Sequence, residues 1–90
     1  MTVKEFNEKY KQYLEEGHYG LDIDNPAVVS FLDELFSEYL TKIEGFQYSQ
    51  IKMKYDCPRF YFTSYAGYGE NEAIEYLVEG VIRLLLTWKS

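Results

Sequence analysis

The chain predicts an α+β domain in the order α-α-β-β-α, with an antiparallel β-hairpin packed against helices. Three observations predict it. Apolar residues recur at helical spacing in three segments, and between Gln50 and Thr63 the spacing changes to alternation. Gly or Pro punctuates each change of period. Ninety residues make one domain, 1–90, and not two.

The first helix is expected over residues 3–16. Thr2 with Glu5 forms a capping box, and Val3, Phe6, Tyr10, Tyr13 and Leu14 fall on one stripe. Gly17 is the natural stop. Residues 18–25 read as a loop. Asn25-Pro26 then opens a second helix, expected to about residue 42, because Asn caps and Pro is preorganised at the first helical position. Its apolar face is Val28, Leu32, Leu35, Phe36, Tyr39, Leu40 and Ile43. Gly45 ends it.

Ile51, Met53 and Tyr55 alternate with Gln50, Lys52 and Lys54, as in a half-buried strand. Asp56-Cys57-Pro58 reads as the turn, and Arg59 to Thr63 as the returning strand. After the loop Ser64 to Gly69, a third helix is expected over residues 71–88. Ile74, Leu77, Val78, Val81, Leu84, Leu85 and Trp88 form its apolar stripe, and Glu79 and Arg83 have the favourable i,i+4 spacing. Ile82 and Leu86 lie off that stripe. They are expected to stay exposed and, with Trp88, to offer a self-association surface for a homodimer, unless the first helix covers it.

Composition excludes several classes. With 47% hydrophobic and 27% charged residues the chain is globular rather than disordered. Nine basic against fifteen acidic residues leave −6, which argues against nucleic-acid binding through the overall field. One Cys, Cys57, forms no internal disulfide, and with the single His18 it cannot supply a structural zinc site. No secretory signal is visible at the N-terminus, and the apolar run from Val81 to Trp88 is too short to span a bilayer. A cytoplasmic protein without membrane contact is expected.

No motif carries chemistry. Ala66-Gly67-Tyr68-Gly69-Glu70 lacks the third Gly of a dinucleotide fingerprint and the Gly-Lys-Ser/Thr of a P-loop, and reads as a plain turn. Asp22-Ile23-Asp24-Asn25 opens like a calcium loop, but the sixth position is Ala27 and the twelfth Asp33. A Cys57–His18 nucleophilic pair would need the fold to bring them together, and adjacent acids on a helix diverge. No metal, cofactor or catalytic residue is expected.

The hairpin is the informative feature. Residues 48–62 sum to +2, from Lys52, Lys54 and Arg59 against Asp56, and the rest of the chain to −8. If Ile51, Met53, Phe60 and Phe62 face the helices, then Gln50, Lys52, Lys54, Arg59 and Tyr61 share the opposite face as a candidate binding patch. A basic, aromatic sheet face can stack bases and hold phosphate. Lys and Arg there equally resist edge pairing and lay their stems over aromatic rings.

Gln50-Ile51-Lys52-Met53-Lys54-Tyr55, followed by Arg59-Phe60-Tyr61, resembles a stretch of small bacterial and phage-borne proteins of unassigned function. There it runs roughly Gln-Ile-Lys-Glu-Lys-Phe-Gly-x-Leu-Arg-Phe-Tyr, with a helix before it and an apolar helix after it. The resemblance covers about residues 30–85. This chain departs at the turn, where Asp56-Cys57-Pro58 replaces Gly-x-Leu, and lacks the Cys pair that often ends those proteins. The resemblance implies a helix–hairpin–helix core and a phage or mobile-element setting, and no activity.

The leading expectation is therefore a non-enzymatic protein-binding module. The alternatives are a nucleic-acid-binding module using the hairpin face, and a small enzyme without a recognisable motif.

Overall fold

The computed structural model describes residues 1–88. The chain is mixed α and β, with three helices and a three-stranded sheet. In order these are α1 (Val3–Lys9), β1 (Gly20–Leu21), α2 (Pro26–Glu38), β2 (Gln47–Lys54), β3 (Cys57–Thr63) and α3 (Tyr68–Thr87). Short 3-10 turns, Lys11–Tyr13 and Leu40–Lys42, follow α1 and α2. The sheet order is β1-β2-β3, with β1 parallel to β2 and β2 antiparallel to β3. The expected order thus gains a strand between the first two helices, and the sheet is mixed rather than a hairpin alone.

The capping box starts α1: Glu5 N donates to Thr2 Oγ1 at 3.0 Å and Thr2 N to Glu5 Oε1 at 2.8 Å. The helix stops seven residues short of its expected end because other partners claim the chain. Leu14 bridges to Tyr48 alongside β2, and Glu15 N donates to Tyr48 O at 2.8 Å. Tertiary pairing overrides helical periodicity there. In α2, Asn25 Oδ1 accepts from Ala27 N and Val28 N at 3.0 and 3.1 Å, with Pro26 at the first position.

The hairpin turn is Tyr55-Asp56, not Asp56-Cys57-Pro58. Both residues have positive φ, 54° and 64°, as a two-residue type I′ turn requires. Lys54 then pairs with Cys57, and Pro58 lies inside β3 opposite Met53. Pro58 is tolerated because β3 is an edge strand. Phe60 N points outward to Glu79 of α3, at 2.9 Å, and Pro58, two residues earlier, has the same outward orientation.

The register shifts by one residue at Ser49, between the pairs Tyr48–Phe62 and Gln50–Tyr61. This bulge lets Tyr48 and Ile51, three apart, both face the core. Phe36 is the hub of that core. Its ring meets Phe6 at 4.9 Å, Tyr10 at 5.0 Å, Tyr48 at 5.0 Å and Phe46 at 5.3 Å, three of these edge-on. Leu32, Ile51, Phe60, Val78 and Ile82 extend the cluster, which joins all three helices to one side of the sheet.

Helix α3 starts at Tyr68, three residues earlier than expected, and is rotated from its expected setting. Ile82 is fully buried against the core and Leu86 is half-buried, so these two do not form an exposed patch. Among the three residues expected to mediate self-association, only Trp88 is exposed. The helix turns Val78 and Ile82 inward because β3 and α2 contact that side, which leaves Leu77 and Leu84 outside.

Candidate functional site

The antiparallel register decides which side chains share a sheet face. It sets Gln50 opposite Tyr61, Lys52 opposite Arg59, and Ile51 opposite Phe60. Ile51 and Phe60 are buried, so the Gln50, Lys52, Arg59 and Tyr61 side chains take the other face. Lys54 continues that row toward the turn and is exposed. Gln50, Lys52 and Arg59 are half-buried, lying along the sheet, and Tyr61 is 39% exposed.

The cations of this face form no ion pair among the described residues. Like charges directly opposite in a ladder repel, and Lys52 and Arg59 are such a pair. Among the described residues the ion pairs are Lys9–Asp33, Lys11–Glu8 and His18–Glu15, and none involves Lys52, Lys54 or Arg59. The Arg59 charge is felt by Glu75 of α3. Burial pushes its carboxyl above the ordinary range, Glu79 and Glu72 push the same way, and the Arg59 charge pulls against them.

Tyr55 belongs at the turn beside this face, whereas the alternation set it with Ile51 and Met53 on the opposite one. It is 88% exposed at the hairpin tip, and the Lys54 ammonium lies 6.0 Å from its ring centre. A bulky residue in the left-handed region is costly, and strain of this kind concentrates at working surfaces. The signal available in sequence was the turn itself. Two residues at positive φ favour Asn-Gly, and this chain has Tyr-Asp.

Both edges of the sheet are closed by side chains. On β1, Asn7 Nδ2 donates to Leu21 O at 3.0 Å, and Asn7 Oδ1 accepts from Leu21 N at 2.9 Å and from Tyr48 Oη at 3.1 Å. On β3, the Glu79 carboxylate takes Phe60 N–H. Strand addition is therefore blocked at these positions, and the open sheet face must act through its side chains.

The remaining polar residues are occupied elsewhere. Glu79 does not pair with Arg83 as its spacing suggested; Arg83 Nη2 instead donates to Cys57 Sγ at 3.3 Å. His18 lies 3.6 Å from Glu15, so Cys57 and His18 have separate partners. A cleft of about 420 Å³ separates the end of β3 from the start of α3, lined by Phe62, Ser64, Tyr68, Glu72, Glu75 and Tyr76 among others. Among its hydroxyls, that of Ser64 is held in a turn, donating to Asn71 Oδ1 at 2.6 Å and accepting from Ala66 N at 3.1 Å. No helix of the described residues is long and apolar enough to cross a membrane. No family model, curated protein or solved structure matches the chain.

Proposed function

We propose that the protein is a non-enzymatic, cytoplasmic protein-binding module, encoded on a phage or mobile element, that takes a short acidic segment of a partner on its open sheet face. The observation that carries this reading is the Lys52–Arg59 pair, opposite in register and without an ion pair among the described residues. A carboxylate laid between them relieves their repulsion and gains charge-assisted hydrogen bonds. Tyr61 and Tyr55 flank the cations with large amphipathic rings of the kind that anchor interfaces.

The size of the patch favours protein over nucleic acid. Three rows of a strand span only about 14 Å. Charges beyond a Debye length of about 8 Å are screened at physiological salt, so a short acidic segment senses mainly the local +2. A duplex carries a charge every ~1.7 Å and would run off the patch onto a surface that totals −8.

A photo-cross-linking residue at position 61, introduced in the native host, tests this. The expected product joins that position to an acidic segment of one protein. It disappears when Lys54→Glu and Arg59→Glu are added, while the melting temperature does not fall, because Arg59→Glu also turns the like-charge pair with Lys52 into an attractive one. Nucleic-acid adducts, or protein adducts indifferent to the charge reversal, would overturn the reading.

A further inference from the structure

We propose that the cleft between the end of β3 and the start of α3 binds an alkylammonium group, carried by a free diamine or by a lysine side chain of a partner. This site is independent of the sheet face proposed to bind an acidic segment. Further along, α3 closes on the β3 edge through Glu79 at Phe60 N and Arg83 at Cys57 Sγ. One turn before Glu79 the two elements part, and a space of about 420 Å³ opens between them. Small-molecule sites fall in the range of roughly 300–1,000 Å³.

Aromatic rings wall this space. Phe62 is half-buried, and its ring stacks on Phe60 at 4.6 Å and packs on the core. Tyr68, Glu72 and Tyr76 follow one another at four-residue steps, so they share one side of α3. Both tyrosine hydroxyls turn to the carboxylate between them, Tyr68 Oη at 3.3 Å and Tyr76 Oη at 3.5 Å from Glu72 Oε2. The two rings are 82% and 62% exposed. A ring face and a carboxylate both attract a cation.

Glu75 supplies a second carboxylate. It is half-buried, and no hydrogen bond or ion pair engages it among the described residues. No Lys, Arg or His lines the cleft. Its neutral polar side chains are spent on each other: Ser64 Oγ donates to Asn71 Oδ1 at 2.6 Å, and Asn71 Nδ2 donates to Ser64 O at 3.2 Å. Two carboxylates and three rings remain to face a ligand. The positive end of the helix dipole, about half a charge, is smaller than the two carboxylates. No three His, Cys, Asp or Glu side chains converge among the described residues, so the cleft is poorly matched to a metal ion. An ammonium on an alkyl chain matches both features. Its N–H groups donate to the carboxylates, and its methylenes lie along the rings.

Amide and aromatic shift mapping of the labelled protein tests the site. The probes are cadaverine, as a free diamine, and acetyl-Gly-Lys-Gly-amide, with sodium chloride at equal ionic strength as the control. Saturable shifts are expected at Phe62, Tyr68, Glu72, Glu75 and Tyr76, and none from sodium. Tighter binding of cadaverine assigns the site to a free amine, and tighter binding of the peptide to a lysine side chain. Glu75→Gln should weaken binding by about tenfold or more, and Glu72→Gln should act in the same direction. Tyr76→Leu should cost roughly two- to fivefold. Lys54→Glu, at the far end of the hairpin, should leave binding unchanged, which separates this site from the sheet face. No response to either probe, shifts that sodium reproduces, or an affinity unaffected by both Glu75→Gln and Glu72→Gln would overturn the proposal.

Discussion

Lys52 and Arg59 stand directly opposite each other across the β2–β3 ladder, two cations on one sheet face with no ion-pair partner among the described residues. If this pair served the fold, reversing one charge would weaken the protein. The repulsion predicts the opposite. Lys52→Glu converts a like-charge pair into an attractive one and should stabilise by about 0.5–1 kcal/mol. In a domain of this size that raises the melting temperature by roughly 2–8 °C, measurable by circular dichroism. A clear fall in melting temperature would show that the Lys52 stem is structural packing.

Asn7 and Gly20 should be coupled. Gly20 has φ +79°, and a Cβ there would sit well inside contact with Asn7 Oδ1, the atom that accepts from Leu21 N and Tyr48 Oη. Asn7→Ala leaves these groups unpaired and should cost about 2–3 kcal/mol. Gly20→Ala should also destabilise, through strain at positive φ and displacement of the Asn7 side chain. In a double-mutant cycle by urea denaturation, the pair should cost less than the two single changes added together. Strict additivity would mean that the Asn7 bridge is not what excludes a side chain at Gly20.

The legible parts of the fold were those with local causes. Thr2 with Glu5, and Asn25 with Pro26, announced helix starts that the structure keeps. The faces of Lys52 and Arg59 followed from alternation on both strands. What stayed hidden depends on distant partners. β1 is two residues long, too short for any period, and exists because Asn7 and β2 pair with it. The end of α1 is decided by the Leu14–Tyr48 bridge. The facing of α3 was misread, with Leu77 expected inside and Ile82 outside, because that helix is apolar on two sides and only the contacts with β3 and α2 decide which one is buried.

Tyr48 makes stability fall at alkaline pH. Burial, with a smaller contribution from Tyr10, raises its hydroxyl to about 12. In the unfolded chain the group titrates near 10. Between these values the folded form retains a proton that the unfolded form has lost, so stability drops as pH rises through that window. Tyr48→Phe should lower stability at neutral pH by about 1 kcal/mol, since Asn7 loses a donor. It should also flatten the decline above pH 10, read from urea midpoints. An equally steep decline in the variant would assign the effect to other tyrosines.

The hairpin tip should gain stability from residues suited to its backbone. Replacing Tyr55 with Asn and Asp56 with Gly relieves two left-handed positions and should stabilise by about 1–2 kcal/mol. Both side chains are exposed, so little packing is lost. A more stable hairpin that cross-links less well from position 61 would place Tyr55 in the binding surface. Lower stability would mean that the Tyr55 ring supports the fold.

The central claim is that the open sheet face binds an acidic protein segment, and backbone amide shift mapping tests it most directly. The isotopically labelled protein is titrated in parallel with a short Asp/Glu peptide and with a single-stranded oligonucleotide. The account predicts saturable shifts from the peptide, confined to β2, β3 and the turn around Gln50, Lys52, Lys54, Tyr55, Arg59 and Tyr61, and abolished by Lys54→Glu with Arg59→Glu. A peptide that leaves these amides unmoved would contradict it. So would an oligonucleotide that binds them more tightly, with the steep salt dependence of phosphate contacts.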